Sequence, residues 1–296
     1  MAEIKKTGMG AAQSISKAST PLPLQNKTVP IDATCTGDWW SVQDENQLAR
    51  LVAIIAMGQA AYAAHILKRL VPAAPAFADD DLRREAKIRL TIQEDGKKPR
   101  TGYPQWQRDG FIFEAISWIA ARQTYGETAL LKDPHVSATS QGLDGLMIKL
   151  AADKSKIVMT TVFEDKCTDD PRATFTGKVI PALLERHRNK RSAELVASAS
   201  VLLRMAGIED GAAAELSAAV LDRNQRSYRA AFALTKEYDD QDARKKLFAG
   251  YDAVDNIPQG HRIGATFIVS GKLREWFKGF SALAISYLDQ IEIKGA

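Results

Sequence analysis

The sequence predicts a mixed α/β protein, with a helical amino-terminal region, an α/β core, and a helical insertion inside that core. Three observations carry this. Ala- and Leu-rich stretches with helical spacing fill the first third of the chain. Short β-type runs separated by turn residues follow residue 130, and helical texture then returns before a last apolar run near the carboxyl end. At 296 residues, 45% hydrophobic and 26% charged, the chain can bury a sizeable core, and collagen-like, wholly disordered and membrane-embedded classes are excluded.

Taken in order, residues 1 to about 30 are rich in Ser, Thr and Pro and read as a flexible tail; Lys5 and Lys6 precede no apolar stretch, so no signal peptide is expected there. Leu51 to Leu67 is apolar but interrupted by Gly58, Gln59 and His65, and it falls short of the roughly 20 apolar residues of a membrane span. It predicts one buried helix from about Asp44 to Leu70. After Pro72 and Pro75, the acidic cluster Asp79, Asp80 and Asp81 opens a charged helix to Leu90, completing a helical region over 31–100. Gly110 to Tyr125 has helical spacing, with Phe111, Ala115, Trp118 and Ile119 apolar and Glu114 the exception.

Leu146 to Leu150 and Lys156 to Phe163 predict two strands joined by a hairpin link at Ala151 to Ser155. The second, KIVMTTVF, is apolar on both faces, as central strands are. Helices are expected at about 173–189 and 192–205, and a helical insertion over about 208–250, where Arg223, Arg226 and Arg229 would share one helical stripe. Arg262 to Ser270 predicts another buried strand, and Lys272 to Leu288 a closing amphipathic helix.

The charge balance, 40 basic against 36 acidic residues, is too even to argue for nucleic acid by itself. The only cysteines, Cys35 and Cys167, exclude a disulfide framework and make a cytoplasmic setting the default. Four scattered histidines offer no zinc spacing, so a metal here would be held by carboxylates.

The strongest chemical signal is Asp144, in GLDGL, followed by Glu164-Asp165-Lys166 at the end of KIVMTTVF. Side chains alternate along a strand, so Glu164 and Lys166 share a face and Asp165 takes the other. A hairpin would bring Asp144 to them, and two carboxylates with an amine suit Mg²⁺-assisted phosphodiester hydrolysis, because Mg²⁺ needs few protein oxygens and keeps water and phosphate as its other ligands. Glu-x-Lys also occurs at Glu3, Glu85 and Glu292, but none of those follows a β-type run with a Gly-flanked acid a hairpin upstream.

At these residues the sequence resembles the PD-(D/E)XK nuclease superfamily. That resemblance implies a restriction-endonuclease-like αβββαβ core within a nuclease domain at 105–296, with Arg262 to Ser270 as the fourth core strand. It implies Asp144 and Glu164 as metal ligands for Mg²⁺ or Mn²⁺, Lys166 as the group assisting the attacking water, and Glu114 as a supporting acid on the first core helix. Leu143 stands where the family name has proline. The implied function is DNA cleavage, in prokaryotic anti-phage defence or restriction. A separate helicase or ATPase subunit is a candidate partner, since the chain has no Gly-x-x-x-x-Gly-Lys-Ser/Thr motif; a homo-oligomer is another candidate assembly, and no membrane association is expected.

Basic residues gather at Arg186, Arg188, Lys190 and Arg191 and along Arg223, Arg226 and Arg229, two candidate phosphate-binding tracks. Blander readings stay open: Asp144 as a turn residue, Glu164 and Lys166 as a solvated strand-end pair, Glu114 on a solvent face, and the first basic cluster as a helix terminus. Two other functions also stay open, a non-catalytic binding protein on a degenerate nuclease fold and an RNA-cleaving member of the superfamily.

Overall fold

The computed structural model describes residues 21–136 and 142–291. Strand β1 (Leu24–Pro30) and strand β2 (Thr36–Val42) are followed by helices α1 (Glu45–Ala56), α2 (Ala60–Arg69), α3 (Asp80–Leu90) and α4 (Gln105–Tyr125). Strands β3 (Ala129–Leu131), β4 (Gly145–Leu150) and β5 (Ile157–Cys167) come next. Helix α5 (Pro171–Thr174) runs through a π turn into α6 (Ile180–His187), followed by α7 (Ser192–Met205) and α8 (Asp210–Ser217). Strand β6 (Arg226–Leu234), α9 (Gln241–Phe248), β7 (Arg262–Ile268) and α10 (Leu273–Gln290) complete the order.

All seven strands form one sheet in the order β1-β2-β7-β6-β5-β4-β3. Its centre, β2, β7, β6 and β5, is parallel, and antiparallel strands flank it on both sides. One face packs on α1, α4 and α10, with Leu51, Ile55, Phe113, Ile116 and Phe277 in its core. The other packs on α6, α7 and α9 through Phe175, Leu183, Leu203 and Phe248. Both faces of the central strands are therefore covered, as parallel sheets require.

Three expectations about the first hundred residues are corrected. Residues 24–30, read as tail, form β1, because Leu24 and Val29 are buried while the residues between them are not, and β1 pairs with β2 along its length; residues 1–20 of that tail lie outside the described residues. The helical region at 31–100 likewise contains β2, which pairs with β7 and joins the central sheet. The helix expected from Asp44 to Leu70 is two helices. Gly58 adopts a φ of 80° and its amide donates to Ile55 O at 2.8 Å, while Gln59 N donates to Ile54 O at 3.1 Å, the paired bonds of a glycine C-cap.

The largest correction concerns 208–250. Its start is helical, but Arg226–Leu234 is a fully buried central strand parallel to β5. The strand beside β5 is thus β6, and not the 262–268 strand, which lies one place further out. Arginines three apart mark one stripe on a helix but opposite faces of a strand. Arg226 (0% exposed) accordingly points towards α6, where it donates to Val220 O, Arg186 O and Asn189 Oδ1, each at 2.7 Å. Arg229 (1% exposed) points towards α4, bonding to Ser117 Oγ and lying 3.5 Å from the Phe163 ring centroid. Neither forms part of an exposed phosphate track.

No helix among the described residues is long and apolar enough to cross a membrane.

Candidate active site

Strand β5 outruns its neighbour. Gly145, the first residue of β4, pairs with Phe163, so Glu164 to Cys167 are flanked by β6 on one side only. On the open side Asp144 stands in for the missing strand, its Oδ2 accepting from Asp165 N at 2.8 Å. Gly145 permits this approach, since a Cβ there would fall 2.5 Å from Phe163 Cδ2. The same Asp144 Oδ2 lies 3.1 Å from Lys166 Nζ, and Glu164 Oε1 lies 2.7 Å from that ammonium. Asp144, Glu164 and Lys166 are thus brought together.

Burial works against the charge on Lys166, but Asp144 and Glu164 outweigh it and hold its pKa above the ordinary lysine value. Burial raises the Glu164 pKa, with Lys166 and Arg186 opposing. Asp144 is held from behind: Glu194 Oε1 accepts from Leu143 N at 2.6 Å, and Arg186 reaches both Glu194 (3.4 Å) and Gly142 O (3.3 Å).

Glu114 projects from α4 into a cavity of about 480 Å³ whose wall also contains Asp144, Asp165 and Lys166. It accepts from His135 N at 2.7 Å. Glu164 is not in that wall; it lies on the opposite face of β5, behind Lys166. The acid that shares the α4 face with Glu114 is Asp165, whose carboxyl burial pushes up to about 7; Arg229 and Ser117 oppose the rise while Asp144 and Glu114 add to it. Sequence reasoning placed Asp165 on the other face from Glu164 without giving it a role. It missed His135 and Ser117, because nothing in strand or helix spacing ties them to the motif.

Among the described residues, no group of three or more His, Cys, Asp or Glu side chains is gathered closely enough to hold a metal ion unaided. Mg²⁺ asks for less, one or two carboxylates completed by water and phosphate. Asp144 and Glu164 already share one cation, the Lys166 ammonium. The donors are hard oxygens, and the set fits that ion.

The basic residues are placed elsewhere. Arg186 is buried in the support of Asp144; Lys190 pairs with Glu185 and Arg191 with Glu194. Arg188 and Arg223 line a different and larger cavity, about 640 Å³, beyond the start of β6. Lys166 pairs with Phe232 near the other end of β6, so strand length alone separates the two cavities by roughly 20 Å. The larger cavity is lined by Asp222 and Asp255 but by no lysine, so it carries no carboxylate and lysine set of the Asp144 kind.

Comparison with protein-family models, with curated proteins and with solved structures returns no match to this chain.

Proposed function

We propose that this protein is a Mg²⁺-dependent nuclease that hydrolyses DNA phosphodiester bonds. The observation that carries the reading is the Lys166 ammonium held between Asp144 and Glu164 at the open end of β5. The element order around it supports the same reading. A helix bearing an inward glutamate (α4) precedes β3, β4 and β5; helices then cross to β6, parallel to β5. We read this order as the αβββαβ order that a restriction-endonuclease-like core would have, with β6 in the place of its fourth strand.

Asp144 and Glu164 would hold the ion, with Glu114 supporting the site. When bound, Mg²⁺ would polarise the phosphoryl group and lower the pKa of a water molecule. The remaining work falls to side chains. Lys166 Nζ, fixed by two carboxylates, offers a donor to the attacking water or to a phosphate oxygen as negative charge develops. Asp144 Oδ2 is committed to Asp165 N and Lys166, which fixes the carboxylate's orientation. Arg186 and Glu194 hold the preceding backbone so that this orientation is kept.

The biological setting we propose, prokaryotic anti-phage defence or restriction, rests on the superfamily resemblance; a helicase or ATPase partner and a homo-oligomer are proposals of the same standing. The test is incubation of the purified chain with plasmid, linear DNA and RNA, with and without Mg²⁺. Metal-dependent loss of DNA that disappears in Glu164→Gln and Lys166→Met supports the reading, and unchanged cleavage by both variants overturns it. Cleavage confined to RNA moves the chain to an RNA-directed activity, and no cleavage with retained binding leaves the non-catalytic alternative.

A further inference from the structure

The cavity that holds Asp144 and Lys166 has an aromatic rim. Trp106, in the first turn of α4, lies in its wall and is 65% exposed. The other tryptophans behave differently. Trp39, Trp40 and Trp118 are at most 8% exposed, and Trp276 packs against the core. An indole left in water on the lip of a charged cavity adds nothing to the core, and water around its faces is released only when something flat covers it. Lys178, on the π turn across the same cavity, pairs with no carboxylate among the described residues. A stacking surface, an ammonium without a carboxylate partner among the described residues, and the Asp144 and Lys166 side chains therefore border one space.

We propose that Trp106 stacks on an unpaired nucleobase next to the scissile phosphate, with Lys178 contacting the strand's backbone, so that the substrate is single-stranded nucleic acid or an unpaired end. This rests on the nuclease reading for the identity of the reacting phosphate. Two physical points favour it over a paired duplex. Each base inside a duplex has both faces covered by its neighbours, so an indole can stack only on a base taken out of the stack or at its end. A cavity of about 480 Å³ takes in one small ligand unit and encloses no duplex, so a base beside the scissile phosphate meets Trp106 only once it has left the stack. Stacking on an aromatic side chain is sequence-tolerant and needs no base-reading side chain.

The test separates binding from cleavage. The intact chain, in EDTA so that nothing is cut, is titrated with a fluorescein-free oligothymidylate and with a matched blunt duplex while tryptophan emission is followed. The single strand should quench emission, and the duplex should quench far less. Trp106→Ala should remove the quench and weaken single-strand binding roughly 5- to 150-fold, the equivalent of ~1–3 kcal/mol per stacked base. Trp106→Phe should restore most of the affinity without the emission change, which a merely structural role for the indole would not produce. Equal affinity of Trp106→Ala and the native chain, or equal quenching by duplex, overturns the proposal. So does emission that responds to protein dilution and to neither nucleic acid, which marks a self-association contact instead. Failure of the nuclease reading looks different: the quench persists in EDTA, but no strand is cut when Mg²⁺ is restored.

Discussion

Lys166 Nζ lies 3.1 Å from Asp144 Oδ2 although 22 residues separate the two in the chain. The contact exists because β5 extends past the start of β4, leaving a strand end that a single aspartate both caps and charges. Exchanging Asp144 for Asn keeps the shape and removes the charge; exchanging Lys166 for Met keeps the length and removes the donor. Each is expected to lower Mg²⁺-dependent DNA cleavage by about 10²-fold or more, the usual cost of deleting a group that stabilises developing charge. Circular dichroism melts run beside the assay should show that both variants fold.

Gly145 sets how closely that aspartate approaches. Its missing Cβ would meet Phe163 Cδ2 at 2.5 Å, so Gly145→Ala forces β4 away from β5 or turns the ring. A destabilisation of about 1–3 kcal/mol is expected, read as a lower urea midpoint with unchanged m. Adding Phe163→Leu should recover part of it. Additive losses in the double variant would show that the two side chains do not compete for that space.

Asp165 makes stability depend on pH. Its carboxyl titrates at about 7 in the fold, against about 3.9 in an unfolded chain. Between those values the folded chain holds a proton that the unfolded chain has released. The stabilisation is complete below about pH 4 and is lost as pH rises through about 7. Melting of the metal-free protein should therefore fall over this window relative to Asp165→Asn, which cannot ionise. Parallel melting curves for the two proteins across the window would rule out this coupling.

The arginines divide into supports and surface charges. Arg226 satisfies four acceptors inside the protein, so Arg226→Ala should cost about 3 kcal/mol or more by leaving them unpaired. Arg188→Ala and Arg223→Ala should leave the melting temperature within about a degree, as exposed substitutions do. Arg186→Ala tests the backing of Asp144: cleavage should fall further than stability alone explains, with partial return in Arg186→Lys.

Much of the site was legible from residue order. Asp144, Glu164 and Lys166 could be grouped because alternation along a strand and a short hairpin are local rules, and the 151–155 link obeys them. Glu114 was singled out by the superfamily resemblance, while its helical spacing left a solvent face equally open; it does face the cavity. Its neighbour there is Asp165 and not Glu164, because which face of β5 meets α4 depends on how the sheet packs.

What the sequence determined by itself was the set of local periods: apolar residues at helical spacing in α1 and α4, a β-branched run in β5, and the turn chemistry between β4 and β5. Those patterns act over a few residues and are written in consecutive side chains. Tertiary structure alone decided that Arg226–Leu234 is a strand. Its alanines and evenly spaced arginines satisfy a helical pattern equally well, and only burial between β5 and β7, with a polar partner waiting for each guanidinium on opposite faces, makes the extended form the stable one. The same packing carried Arg188 and Arg223 to the far end of the strands from Lys166, a separation that no spacing in the chain records.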